Sequence, residues 1–154
     1  MITDLNNKKH FAILRIVFGF VWLVDAYFKW QPSFFTGFVD YLSGGAEGQS
    51  ALVQSWIHFW INLVNINPHF FAVVVAIAET AIALALIFGI FPKLVSYGGI
   101  AFALIIWSTA EGFGGPYTAG STDIGSAIIY ILVFVALILG HSWEEWSLTA
   151  KFKK

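Results

Sequence analysis

Ionisable side chains interrupt the long apolar segments of this 154-residue chain at only a few positions. Arg15, Asp25 and Lys29 lie in the first apolar run, and Glu79 lies near the middle of the second. Charged groups are costly in hydrocarbon, so they normally face a bundle interior or a wet cavity, where they carry protons or bind ions. These four residues are therefore the first candidates for chemistry.

The polar residues of the first run share one face of a helix. Arg15, Trp22, Asp25 and Lys29 are separated by seven, three and four positions, which corresponds to one side at about 100° per residue. Asp25 and Lys29 have the spacing of an acid–base pair and are expected to neutralise each other. Such a pair is compatible both with a structural role that orients the helix and with a functional role.

Glu79 lies at the centre of an apolar run, where a charged carboxylate has its highest free-energy cost. It has no cation near it in the sequence, because the other basic residues inside apolar runs are Arg15 and Lys29. We expect Glu79 to be protonated or to pair with a cation from another helix.

A glycine-rich segment at 111–122 separates the third and fourth apolar runs, with Glu111 and Asp123 at its two rims. Glycine permits tight turns and proline stiffens them, so the pattern predicts a shaped outer loop rather than a plain helical hairpin. Asp123 also follows Ser121 and Thr122, which are favoured capping residues, so helix capping is a strong alternative role for Asp123.

Composition places the chain among membrane proteins. Hydrophobic residues make up 58% and charged residues 11%, against about 25% charged in soluble domains. The absence of cysteine removes disulfides, thiolate metal sites and iron–sulfur clusters, and no metal site is predicted. A formal charge of -1 gives no support for nucleic-acid binding. Any redox role must then use a quinone, another organic cofactor or a partner subunit.

The apolar runs predict an all-α integral membrane protein with a four-transmembrane-helix bundle, because about 20 residues suit one span. The predicted helices lie at about 11–30, 69–91, 94–110 and 123–140, with an amphipathic helical insert at 33–66 between the first two. Asn67 and Pro68 predict the start of the second span. Gly98 and Gly99 predict a close helix contact in the third.

Basic residues predict the orientation. Seven fall on the side of the two termini (Lys8, Lys9, Arg15, Lys93, Lys151, Lys153 and Lys154), and only Lys29 falls on the other. The positive-inside rule then predicts a multi-pass protein of the cell membrane with both termini cytoplasmic. Asp25, Lys29, Glu111, Tyr117 and Asp123 gather at the outer end, where protons can exchange with the outside.

Several of these positions also carry a resemblance to a known family. They are Arg15, Gly19, Lys29, Glu79, the loop sequence Glu-Gly-Phe-Gly-Gly-Pro-Tyr at 111–117, and Thr-Asp-x-Gly-x4-Tyr at 122–130. Over about residues 11–140 the chain resembles the DoxX/DoxD membrane family, and the loop points to its DoxD branch. That branch is similar to the large subunit of thiosulfate:quinone oxidoreductase. The resemblance implies a prokaryotic four-helix membrane protein that passes electrons from thiosulfate to quinone with a DoxA-like partner.

The resemblance directs the site assignment to the outer end. A quinone headgroup is expected between Trp107, Tyr117 and the polar face of helix 1, with Arg15 and Asp123 as further cofactor contacts. Glu111, Asp25 or Glu79 would deliver protons as buried carboxylates. Lys29 and the helix starts would supply the positive potential for an anion.

Two other classes of function stay open. In the first, the chain is a non-catalytic anchor or assembly subunit of a membrane redox or terminal oxidase complex, and it docks through Trp56, Phe59 and Trp60. In the second, it is a small transporter or proton channel, which is disfavoured because no broken-helix pair or inverted repeat is evident. The lipid bilayer is a partner in every case, and association with itself or with other chains is left open.

Overall fold

The computed structural model describes residues 2–119, 121 and 123–151, with side chains from residue 8 onward. Over this part of the chain the fold is all helical, as predicted. The helices are α1 (Ile2–Lys29), α2 (Pro32–Thr36), α3 (Phe38–Gly44), α4 (Ala51–Val64), α5 (Pro68–Phe88), α6 (Pro92–Ser108), α7 (Ser126–Leu139) and α8 (Leu148–Lys151), with a 3-10 turn at Gly112–Gly114. The predicted contributions of Thr122, Lys153 and Lys154 lie outside the described residues.

Within the described residues, two helices are long and apolar enough to cross a membrane. They are the 8–29 part of α1 and the whole of α5, with mean hydropathies of 1.9 and 2.5. Helices α6 and α7 are also apolar, but at 17 and 14 residues they are shorter than the roughly 20 that a perpendicular span needs. The four-span arrangement therefore stays a prediction.

Local sequence sets both limits of α5, which starts where predicted and ends at Phe88 rather than at about 91. Asn67 precedes the helix and its side chain accepts a hydrogen bond from the Phe70 amide, while Pro68 occupies the first turn. Gly89 ends the helix in the left-handed conformation, with φ of 67°. By contrast, α1 begins well before the predicted Phe11, because the polar residues ahead of it continue the helix.

The long helices pack as two pairs, α1 with α5 and α6 with α7, and contact between α5 and α6 is less extensive. Phe18 and Trp22 of α1 meet Phe134 of α7, with ring centroids 5.0 Å and 5.8 Å apart, and they form the core between the pairs. The two adjacent glycines of α6 differ. A Cβ on Gly99 would collide with the Phe134 ring, so the predicted close contact is confirmed there. A Cβ on Gly98 would meet nothing within 4 Å, so the prediction was wrong for Gly98.

The insert consists of α2, α3 and α4 and packs against the start of α5. Phe38, Leu42, Val64 and Ala72 form its apolar cluster. Helix α4 buries Ile57 and Val64 and leaves two other faces exposed. One face is apolar and carries Leu52, Trp56 and Phe59. The other is polar and carries Ser55, His58 and Asn62.

Candidate functional site

An ion pair joins the first and second long helices. Lys29 Nζ of α1 lies 3.8 Å from Glu79 Oε1 of α5, and the Glu79 side chain is only 2% exposed. The expectation that Glu79 pairs with a cation from another helix is thus met by Lys29. The same ammonium lies over the rings of Phe34 and Tyr41, at 5.2 Å and 5.6 Å from their centroids. These aromatic faces add to its stabilisation.

Asp25 has a different partner from the predicted one. Its Oδ2 accepts a hydrogen bond of 2.8 Å from the Tyr130 hydroxyl of α7, and among the described ion pairs Lys29 joins Glu79 rather than Asp25. The prediction of a local Asp25–Lys29 pair was therefore wrong. The i,i+4 spacing permits that pair, but each side chain reaches a partner on another helix.

These groups line one space, which we term the polar cavity. It has a volume of about 190 Å³ and lies at the end of the bundle where α1 ends and α7 begins. Its lining consists of Trp22, Asp25, Lys29, Tyr41, Glu79, Ile106, Glu111, Ser126, Ala127 and Tyr130. The structure thus brings together Asp25, Lys29, Glu79 and Glu111, the four candidates for catalysis.

A second space, the apolar cavity, adjoins the first. It has a volume of about 130 Å³ and is lined mainly by aliphatic and aromatic side chains of α3–α6, Trp60 and Phe102 among them. Lys29, Tyr41, Glu79 and Ile106 line both cavities. The Lys29–Glu79 pair therefore lies on the boundary between a polar and an apolar compartment.

Three buried polar atoms of cavity-lining residues have no hydrogen-bond partner among the described residues. They are Glu79 Oε2, Trp22 Nε1 and Trp60 Nε1. Nearly all buried polar groups in proteins are hydrogen-bonded, and exceptions concentrate where a ligand or water completes the set. An acceptor and two donors of this kind fit a small molecule that has both polar edges and an apolar body.

Glu111 has a structural role that its position in the sequence does not reveal. Its carboxylate accepts hydrogen bonds from the Ser126 hydroxyl at 2.7 Å and from the Ser126 and Ala127 amides, at the first turn of α7. It therefore caps a helix that begins 15 residues later, and the helix dipole favours its negative charge. Gly125 is required beside it, because a Cβ there would collide with the Glu111 carboxylate.

Asp123 does not take the capping role. Its Oδ1 accepts from the Gly125 amide at 2.8 Å, a turn within the loop, and α7 begins at Ser126 rather than near Asp123. Asp123 lines neither the polar nor the apolar cavity.

Trp107 and Tyr117 hold the loop in shape. The Trp107 indole donates to the Ile124 carbonyl at 2.8 Å, and the Tyr117 hydroxyl donates to the Phe113 carbonyl at 2.6 Å. Tyr117 is largely exposed, and neither residue lines the two cavities. The cavities therefore lie deeper than the position expected for a headgroup between Trp107 and Tyr117.

Arg15 lies at the other end of the bundle, in an arrangement that we term the arginine clamp. Its guanidinium is fully buried and donates to four backbone carbonyls, of Leu86, Ser142, Glu145 and Trp146, at 2.6–3.3 Å. The structure thus separates Arg15 from the other predicted site residues. Lys8 and Lys93 contact the same segment, through Glu144 and Trp143, so these three basic residues do share one end.

The sequence analysis did not single out Tyr41, and it named Trp60 only as a docking residue of the insert. Burial and the nearby carboxylates of Glu111, Glu79 and Asp25 raise the pKa of Tyr41 to about 12, so its phenol stays protonated. Both residues belong to the insert, and no local pattern indicates that they reach the cavities. The polar-face position of Trp22 was the one signal that pointed to a further lining residue.

The model of the DoxX family matches residues 10–112, which is more than half of the chain. The chain belongs to the DoxX family. DoxX is a membrane family, and together with the two long apolar helices this membership indicates a membrane protein. The matched range contains most of α1, the insert, α5 and α6, and it includes only Glu111 and Gly112 of the loop positions that carry the DoxD resemblance. No curated protein and no solved structure gives a significant match.

Proposed function

We propose that this DoxX protein is a quinone-binding membrane subunit of a respiratory redox complex, with four spans and both termini on the cytoplasmic side of a prokaryotic cell membrane. One observation carries the proposal. Glu79, Trp22 and Trp60 have buried polar atoms without a partner among the described residues; Trp22 lines the polar cavity, Trp60 lines the adjoining apolar cavity, and Glu79 lines both.

The two cavities match the chemistry of a quinone headgroup. A quinone is a neutral ring with carbonyl acceptors, and the Trp22 and Trp60 indoles and the Lys29 ammonium are donors to such acceptors. Its apolar substituents suit the aliphatic lining of the apolar cavity. Together the cavities approach the lower size of small-molecule sites, about 300 Å³.

The acidic residues have the position that proton delivery requires. A bound quinone accepts two electrons and two protons and leaves as the hydroquinone. Glu79 would take up one proton on its carboxylate and pass it to the quinone, because its side chain lines both cavities. Asp25 and the Tyr130 hydroxyl would donate or relay the other through their 2.8 Å hydrogen bond.

The electrons would come from outside this chain. The sequence has no cysteine, and the described residues contain no group of His, Asp and Glu that could hold a metal ion. The donor class that we propose is thiosulfate, of which two molecules release two electrons on joining as tetrathionate. Three carboxylates and one lysine around the polar cavity disfavour a dianion there. We therefore assign thiosulfate oxidation to a DoxA-like partner subunit.

A non-catalytic anchor is the second candidate, and a specific surface favours it. Leu52, Trp56 and Phe59 form an exposed apolar face on α4, with the last two rings stacked at 6.3 Å. Trp60 does not belong to this surface, because it lines the apolar cavity. Stable co-purification with an oxidase, with no quinone bound, would support the anchor role.

The deciding experiment is quinone binding and reduction by the protein with its partner in membranes. Glu79→Gln is expected to lower thiosulfate-dependent quinone reduction about 100-fold, as for loss of a general acid. Glu47→Gln is the matched control, because Glu47 is exposed and lines neither cavity. Wild-type protein that neither binds nor reduces quinone, or equal turnover in both variants, contradicts the proposal.

A further inference from the structure

A groove runs along the outside of the bundle between α5 and α6, and we term it the seam groove. Its volume is about 430 Å³ and its lining is almost wholly apolar. The lining residues are Ala78, Ala81, Ile82 and Ala85 from α5, with Leu94, Val95, Gly98 and Phe102 from α6. Alanine and glycine leave this space open where larger side chains would fill it.

Gly98 does not serve close packing between helices, although it lines the groove. A Cβ on Gly98 meets nothing within 4 Å, whereas a Cβ on the adjacent Gly99 collides with Phe134. The two glycines therefore have different roles. Gly99 permits contact with α7, and Gly98 widens the groove between α5 and α6.

The seam groove adjoins the candidate site. Phe102 lines both the groove and the apolar cavity, and Ala78 in the groove directly precedes Glu79 in the cavity. The Glu79 side chain is 2% exposed, and its Oε2 has no partner among the described residues. An amphiphile with its head beside Glu79 would therefore have an apolar path along the surface of the bundle.

We propose that the seam groove binds the hydrocarbon tail of the molecule whose headgroup occupies the polar and apolar cavities. This inference rests on the proposed quinone function and specifies a long-tailed substrate. The α6 face from Phe102 to Leu94 extends about 12 Å at 1.5 Å per residue, which is comparable to an extended decyl chain. The position of the groove next to the Glu79 cavity, with Phe102 in the lining of both, favours the tail of the bound substrate over a bilayer lipid or a second copy of this chain.

Tail length provides the test. The probes are a benzoquinone with a decyl tail and the same benzoquinone without a tail, and binding is followed by quenching of tryptophan fluorescence in nanodiscs. Gly98→Leu fills the groove and is expected to weaken binding of the tailed probe about tenfold, with no change for the tailless probe. Ala101→Leu is the matched control, because Ala101 is exposed on α6 outside the groove.

A decyl probe that carries a photoreactive group at the tail end supplies a second measurement on the wild-type protein. Labelling within 78–85 and 94–102 supports the tail groove. Labelling elsewhere, equal effects of Gly98→Leu on both probes, or preferential labelling of the groove by a photoreactive phospholipid overturns it. In those cases the quinone function stands if Glu79→Gln still impairs reduction. Failure of both quinones to bind wild-type protein overturns both proposals.

Discussion

Each end of the bundle holds a basic residue of α1, Arg15 fully buried and Lys29 18% exposed, and the two residues differ in the contacts that they make. Arg15 donates to four backbone carbonyls. Lys29 meets Glu79 across 3.8 Å, and Glu79 Oε2 has no hydrogen-bond partner among the described residues. The comparison shows that burial of charge alone does not identify a functional site. Among the described residues, the Arg15 end has one buried polar atom without a partner, Ser142 Oγ, whereas the Lys29 end has three, and all three belong to residues that line a cavity.

The largest effect is expected at the arginine clamp. Arg15→Met keeps much of the side-chain volume but leaves four carbonyls without their donor, so we expect a loss of at least about 3 kcal/mol in the free energy of unfolding. Thermal unfolding in detergent measures this loss. Arg15→Lys retains the charge and fewer donors, and should fall between wild type and Arg15→Met. Wild-type stability in Arg15→Met would remove the distinction between the two ends.

A smaller effect on stability is expected at Glu111. Glu111→Gln replaces a charged cap of α7 by a neutral one, which should cost about 1 kcal/mol and speed hydrogen exchange in the first turn of α7. Asp123→Asn is the matched control and should change that turn less, because the Asp123 carboxylate accepts a hydrogen bond from the Gly125 amide within the loop, ahead of α7. Quinone reduction is measured in parallel. If turnover in Glu111→Gln is unchanged, Glu111 is a structural cap and not a proton donor.

The smallest effect concerns the pKa of Tyr41. Because this pKa is raised from 10.0 to about 12, the difference in tyrosinate absorbance between wild type and Tyr41→Phe should titrate near pH 12. Removal of a repelling carboxylate in Glu111→Gln should lower that midpoint. The phenol deprotonates first in the unfolded chain, so its contribution to stability is present below pH 10 and is lost as the pH rises through 12. An ordinary tyrosine midpoint would place Tyr41 away from the carboxylates.

The sequence was sufficient for features that depend on local pattern. Periodicity on α1 placed Asp25 and Lys29 on one face, and the cost of a mid-helix carboxylate singled out Glu79. Asn67 and Pro68 gave the start of α5, since capping requires only neighbouring residues. The all-helical class followed from composition and from the long apolar runs.

Features that depend on which helices meet could not be predicted in this way. The spacing of Asp25 and Lys29 permitted a local pair, but the fold offers Tyr130 and Glu79 as partners. Gly98 and Gly99 are adjacent and identical in type, and only the packing of α6 separates their roles. The cap of α7 comes from Glu111 rather than from the neighbouring Asp123, because distant residues compete for the same amides.

The hydrogen bonds between Glu111 and the first turn of α7 also bear on how the length of the glycine-rich loop can vary among relatives. The Trp107 indole also donates a hydrogen bond to the Ile124 carbonyl at the end of the loop. Gln49 of the insert donates to the Gly112 carbonyl at its start, at 2.8 Å. With both flanks fixed in this way, the cavity wall does not depend on the exposed residues Thr118, Ala119 and Ser121. Insertions and deletions there should be tolerated, so evolution is free to change its length without rebuilding the wall beneath it.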